Sequence, residues 1–411
     1  MDDPLRLDDY APFVGEATVE EIRLLARQVA GARIQHLNST RVGGGVAELL
    51  GRLVPLMNDV GLEAEWTVIE APEAFFAVTK RFHNALHGAP VALEPEMLSL
   101  YRQVMAENAA KLRPDADFIV IHDPQPLGLV EWRHQTAARW IWRCHIDIAA
   151  ADLRVWGFLK PLIDRFDAMI VHIPQFLRRD VFVPQYIVPP FIDPLSAKNR
   201  ELPAATVQQV LKDYQIPDDQ PFILQVSRFD RLKDPLGALR AYEMVKRSID
   251  VGFVMAGNFA TDDPEGREVF EEVSQKARLL ADTKLIVNAD DTAINALQRA
   301  AAVVIQKSLR EGFGLAVTEA MWKGKPVVGG DTGGIAYQIL DGVTGFLVKT
   351  VEGAAYRLRQ LLSNPLLAER IGQEAHLWVQ STFLVPHYLR NWLCVLLACR
   401  HPESGLTALA T

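Results

Sequence analysis

The sequence predicts an α/β fold of two doubly wound domains facing each other across a cleft. Three observations predict it. The chain has 411 residues, more than the ~250–300 at which one hydrophobic core stops growing. Short β-branched runs alternate with longer segments of helical period, the pattern of parallel strands covered by helices. The alternation also runs twice, interrupted by the proline-rich stretch YIVPPFIDPLSAKN at 186–199, which reads as an interdomain connector.

In the first series, ARIQHLN (32–38) reads as a strand, followed by a glycine-rich loop and a helix from about Val46. Further strands are expected at AEWTVI (64–69), DFIVIH (117–122), RWIWRCH (139–145) and AMIVHI (168–173). The second series places strands at PFILQVS (221–227), GFVMAG (252–257), KLIVN (284–288), AVVIQ (302–306) and PVVGG (326–330). The expected domains are 1–195 and 196–380, with a helical segment 381–411 packing back on the first. In open α/β sheets ligands sit beyond the carboxyl ends of the strands, so two such domains put a site in the cleft between them.

The formal net charge is −8 and no Lys/Arg block stands out. This argues against nucleic acid or an anionic membrane as the main partner, and any anion must be captured locally. The start, MDDPLRLDDY, is acidic where a secretory signal is positively charged, and no apolar run approaches the ~20 residues of a membrane span. A cytoplasmic enzyme is the expectation. Cys144, Cys394 and Cys399 have no metal-ligand spacing and read as buried thiols.

Three stretches carry chemistry. NSTRVGGGVAELL (38–50) follows the first strand and opens a helix, so its glycines bring backbone N–H groups to a phosphate or sugar, or simply make a tight turn. SRFDRLKDP (227–235) holds the same place in the second series, with Arg228 and Lys233 in a loop and Asp234-Pro235 starting a helix. Two cations beside a helix N-terminus form a diphosphate clamp. In REGFGLAVTEAMWKGKPVVGGDTGG (310–334), Glu311 lies at the mouth of the sheet and Glu319 two turns into a helix whose first amides are at Gly312 to Leu315. Two carboxylates so placed accept hydrogen bonds from two polyhydroxylated groups, such as a sugar and a ribose on one nucleotide-sugar.

These residues resemble the E-x7-E region and the donor-phosphate Arg/Lys loop of the retaining GT-B glycosyltransferases of family 4, whose two domains are Rossmann-like. QKSLREGFGL, WRCHID, HDPQPL and PPFIDPLSAKN are similar, within that family, to trehalose synthases of the glycosyltransferring type and to the related trehalose phosphorylases. The resemblance implies a nucleoside diphosphate glucose donor (ADP- or UDP-glucose), a glucose acceptor and α,α-trehalose as product, formed reversibly. Arg228 and Lys233 then bind the diphosphate, Glu311 holds donor glucose hydroxyls, and Glu319 holds the ribose. Gly312, Phe313, Gly314 and Leu315 offer backbone amides, while Gly44 and Gly45 close over the phosphate. His145 matches the histidine near the donor sugar and joins Arg228, Lys233 and Glu311 as the catalytic set. Asp147, two residues on, is expected on the same face of a continuing strand. Glu48, Asp123 and Asp147 fall on the acceptor side, though His122-Asp123 reads equally as a turn opening.

No D-x-D-type pair stands out in a cleft position, so a divalent ion such as Mg2+ is expected at most to stimulate, without dedicated protein ligands; no tightly bound cofactor is expected, and pairing into a homodimer is left open. The rival readings are a trehalose phosphorylase, a nucleotide-sugar epimerase and a non-catalytic binding subunit. Fungal phosphorylases of this kind are considerably longer, which favours the synthase.

Overall fold

Among the residues that the computed structural model describes, 5–41, 45–258 and 264–402, every named strand belongs to one of two parallel six-stranded sheets. The chain divides into two units, Met1–Pro190 with Val385–Thr411, and Phe191–Leu384.

The first unit contains β1 (Arg33–Asn38), β2 (Glu63–Val68), β3 (Phe118–His122), β4 (Arg139–Arg143), β5 (Ala168–Val171) and β6 (Gln185–Ile187), in the order β2-β1-β3-β4-β5-β6. Its helices are α1 (Ala11–Val14), α2 (Glu16–Arg27), α3 (Gly45–Asp59), α4 (Glu73–Leu86), α5 (Pro95–Asn108) and α6 (Leu153–Ile163). FIVIH of β3 is buried throughout, as a strand covered on both faces must be. Helix α6 starts where the Asp152 carboxylate takes the N–H groups of Arg154 and Val155.

Two expectations are corrected here. The stretch 186–199 is not wholly connector, because Gln185–Ile187 pairs with β5 as the sixth strand. Strand β4 also ends at Arg143 rather than continuing through His145, because the His145 N–H turns to the side chain of Asp123.

The second unit contains β7 (Phe222–Val226), β8 (Gly252–Gly257), β9 (Thr283–Val287), β10 (Val303–Gln306), β11 (Val327–Gly330) and β12 (Phe346–Val348), in the order β12-β11-β10-β7-β8-β9. The helices are α7 (Ala204–Asp213), α8 (Pro235–Lys246), α9 (Pro264–Ala277), α10 (Asp291–Ala300), α11 (Leu315–Trp322), α12 (Gly333–Gln338), α13 (Val351–Leu362) and α14 (Pro365–Thr382). Its core sets Ile223, Phe253, Val303 and Ile305 of the sheet against Leu239, Tyr242 and Leu358 of the helices. Strand β12, within DGVTGFLV, adds an edge that the sequence pattern did not mark.

The last helix, α15 (Val385–Arg400), belongs to the first unit, where it packs on α2 and α3 and buries Leu389, Trp392, Leu393 and Leu396. In each sheet the order of strand addition reverses at one place, between β1 and β3 in the first unit and between β7 and β10 in the second. Loops diverge at such a switch point and leave a crevice beyond the strand ends.

One close approach fixes how α11 and α14 pack. A Cβ at Gly372 would lie 2.0 Å from the carbonyl oxygen of Gly324, which follows α11 with φ +68°. Gly372→Ala is therefore expected to lower the unfolding free energy by about 1–3 kcal/mol, the usual range for overpacking. Urea unfolding reads this, and an unchanged midpoint would show that the helices are not in contact there.

Candidate functional site

In the second unit the loops after β7 and β10 are tied together at the switch point. Leu309 N–H donates to the Leu232 carbonyl (2.7 Å). Lys233 Nζ donates to both oxygens of Glu311, at 2.7 and 2.6 Å, and both side chains are largely buried. Ser308 Oγ donates to Glu311 Oε2 (3.1 Å), and Gln306 Nε2 in turn donates to Ser308 Oγ (3.1 Å). A second ion pair, Lys307 with Asp234, lies beside the first. Asp234 sits at φ +49° and its other oxygen caps α8 by accepting the Gly237 N–H (3.1 Å). Arg228 differs from these groups: its side chain is half exposed and the nearest Asp230 oxygen is 3.7 Å away.

Glycines let a third loop, after β11, come close. Gly333 has φ +47° and an added Cβ would fall 1.8 Å from the Glu311 carbonyl oxygen, while one at Gly334 would fall 2.3 Å from Phe313 Cα. DTGG is thus a packing requirement of the Glu311 segment. Gly314, at φ +87°, precedes Leu315 at the start of α11, and Gln338 Nε2 holds the turn by donating to the Phe313 carbonyl (2.5 Å). Glu319 lies buried in the second turn of α11, as its spacing implied. Gln298 Nε2 donates to its Oε2 (3.2 Å) and Lys198 Nζ is 3.9 Å from Oε1, so the two glutamates have separate partners.

The first unit assembles different groups. His36 Nδ1 lies 3.0 Å from His122 Nε2, His122 Nδ1 lies 2.9 Å from His145 Nε2, and His145 Nδ1 lies 3.2 Å from His172 Nε2. Burial holds His36 down to about 3. Burial first, then neighbouring rings and the Arg143 guanidinium, keep His122 and His145 well below the ordinary histidine range. Asp123, at φ +64°, accepts the His145 N–H (2.7 Å) and donates its own N–H to the Arg143 carbonyl (2.9 Å). Burial raises its carboxyl to about 7, against the opposing pull of that hydrogen bond and of Arg143.

The expected continuation of β4 through Asp147 does not occur: its Oδ1 accepts the Ala149 N–H (2.9 Å) and closes a local turn. Glu48 is exposed in the first turn of α3, and Gly45 is the first residue of that helix. Gly44 lies outside the described residues, as does Gly43. Among the described residues, no group of three or more His, Cys, Asp or Glu could hold a metal ion, and no helix is long and apolar enough to cross a membrane.

A family model described as trehalose synthase, N-terminal domain, matches residues 36–178, and one described as glycosyl transferases group 1 matches residues 207–378. The chain is 40% identical to the trehalose synthase of Pyrococcus horikoshii over 398 residues, 95% of this chain and 96% of that one. The chain belongs to the trehalose synthase family. The trehalose phosphorylase of Grifola frondosa is more distant, at 27% identity over 85% of this chain and 54% of its own length. Among solved structures, the sucrose-phosphate synthase from Thermosynechococcus elongatus has a TM-score of 0.70 at 19% identity, covering 91% of this chain and all of its own. The two six-stranded parallel sheets of this trehalose synthase relative are those of the GT-B class.

Sequence reasoning missed several groups at these centres. Lys307 and Ser308 stand inside the quoted QKSLREGFGL, and Lys198 inside the connector motif, without having been singled out. His36 and His172 had a readable signal: four of the five strands expected in the first series carry a histidine towards the carboxyl end.

Asp123 gives a pH test. Its folded carboxyl, at about 7, lies above the ordinary 3.8, so between those values the folded protein holds a proton that the unfolded chain has lost. Its contribution to stability therefore declines as pH rises through this window and is flat above it. Asn tolerates the left-handed conformation and keeps the acceptor for His145. The stability of Asp123→Asn relative to the parent should grow from pH 4.5 to pH 7.5 in urea melts. An equal difference at both values would place Asp123 in the ordinary carboxylate range.

Proposed function

We propose that this family member transfers glucose, with retention, from ADP- or UDP-glucose to the anomeric hydroxyl of free glucose, giving α,α-trehalose and the nucleoside diphosphate in a reversible reaction. The supporting observation is the Lys233–Glu311 pair at the switch point, one residue before the Gly312–Leu315 amides. A diphosphate replaces Glu311 as the partner of Lys233, and the released carboxylate accepts hydroxyls of the donor glucose. Arg228, already partly exposed, supplies the second phosphate contact. Glu319 takes the ribose hydroxyls while Gln298 keeps one of its oxygens in place. The family resemblance further assigns Gly44 and Gly45 to the phosphate and His145 to the donor sugar. Glu48, Asp123 and Asp147 serve the acceptor.

In the transfer, the bond from C1 to the phosphate oxygen breaks and its electron pair stays on that oxygen. The acceptor's anomeric oxygen bonds to C1 on the same face, and its proton passes to the departing phosphate. A double displacement needs a carboxylate nucleophile set ~5–5.5 Å from an acid/base group. Glu311, hydrogen-bonded to Lys233 and Ser308, is suited to holding hydroxyls, which favours the front-face route.

Incubation with ADP- or UDP-glucose and glucose, followed by NMR of the product linkage, tests the reading. Equal amounts of α,α-trehalose and nucleoside diphosphate are expected; glucose 1-phosphate made only from trehalose and phosphate would identify a phosphorylase. Lys233→Ala should lower kcat by about 100- to 1,000-fold at saturating donor, the usual cost of losing one group that stabilises developing charge. Near-normal turnover would remove Lys233 from the mechanism. Glu319→Gln should raise the donor KM more than it lowers kcat, because a ribose contact persists from ground to transition state. A collapse of kcat at constant KM would place Glu319 in the chemistry instead.

A further inference from the structure

The four hydrogen-bonded histidines come from strands that are neighbours in the sheet. His36 lies on β1, His122 ends β3, His145 is two residues past β4, and His172 directly follows β5. His36, His122 and His172 are buried and His145 is partly exposed. Successive ring centroids are 5.3, 5.3 and 5.2 Å apart.

Each link joins Nδ1 of one ring to Nε2 of the next. A link between two neutral imidazoles exists only when one nitrogen carries a proton and the other does not. In a neutral chain the tautomer of one ring therefore dictates the other three. All four are protonated at Nδ1, or all four at Nε2. The surroundings favour neutrality: Arg143 from β4 is fully buried, and α15 brings the Trp392 ring against His36 and Tyr388 near Arg143. The Asp123 carboxyl, one residue past β3, accepts the His145 backbone N–H. Both ring nitrogens of His145 are occupied by His122 and His172, so neither is left for a sugar.

We propose that His36, His122 and His172 are positioning residues for His145, locking four imidazoles into one neutral chain of a single tautomer that fixes the segment after β4 against the substrate. This rests on the sugar-transfer reading above. The chain holds the ring and backbone of His145 in register, and His145 does not serve as a free acid or base.

The test begins without substrate. In protein labelled with 15N-histidine, the ten histidines are assigned by single substitutions and their ring nitrogens followed from pH 5 to pH 8. The expected result is one shared tautomer for the four rings and no proton uptake by any of them. Mixed tautomers, or a ring of the four that titrates in this range, overturn the chain. His36→Phe keeps an aromatic ring but removes one end of the chain; the other three rings stay linked, so they should exchange together between the two uniform tautomers instead of holding one, and kcat should fall about 10- to 100-fold, the scale of a small misplacement at a reacting centre. Donor KM should change little. His36→Gln, which restores one donor and one acceptor, should recover most of both signals. His172→Asn breaks the chain from its other end and should disturb the spectrum in the same way if His36→Phe fails to fold. A shared tautomer in the parent with wild-type kcat in His36→Phe overturns the positioning role. A shared tautomer in a protein that makes no trehalose supports the chain while refuting the functional reading.

Discussion

Lys233 and Glu311, 78 positions apart, meet through two short contacts, and the loops of the second unit are arranged around that meeting. It requires β7 and β10 to be neighbours, which is where the order of strand addition reverses. The Lys307–Asp234 pair and the Leu309–Leu232 hydrogen bond hold the two loops together, and Gly333 and Gly334 admit a third loop against the Glu311 backbone. Desolvating an ion pair commonly costs as much as its attraction returns, so such a pair is weak as a stabilising device. Its presence at the strand ends fits exchange of partners better than it fits architecture.

The first unit solves the same topological problem with other chemistry. At the switch point between β1 and β3 stand His36 and His122, continued by His145 and His172. The adjoining cation, Arg143, is wholly buried and burial lowers its pKa, while Asp123 is pushed towards its neutral form. One unit therefore presents ions at its switch point and the other presents polar rings held uncharged. The first set can meet a phosphate, whereas the linked ring nitrogens of the second are spent on one another.

How much of this was legible depended on distance along the chain. The long buried runs FIVIH and GFVMAG announced their strands because parallel strands covered on both faces are apolar throughout. Strands β6 and β12 have three residues each, too short for any period, and the prolines after β6 resembled a linker. The start of α8 at Asp234-Pro235 and the place of Glu319 in α11 were readable because both are local. That Lys233 is bound to Glu311, or that four histidines join, was not. Those facts depend on which strands become neighbours, and a lone histidine in a strand reads as core.

The ion pair also bears on how a donor is recognised in the proposed reaction. Glu311 is 9% exposed, and in the free protein Lys233 and Ser308 satisfy its carboxylate. A diphosphate that draws Lys233 away leaves a buried carboxylate short of donors, which is unfavourable unless sugar hydroxyls replace the ammonium. Free glucose faces the opposite difficulty, because a Glu311 turned towards hydroxyls leaves Lys233 without an anion. The two halves of a nucleotide-sugar thus relieve each other's cost. Binding of each is coupled to the other through one proton-rich contact, and only a molecule carrying both phosphate and hexose restores every partner at once. In the proposed reaction this coupling would make the intact donor the preferred ligand over either of its parts, and would do so with two side chains rather than with an extended set of contacts.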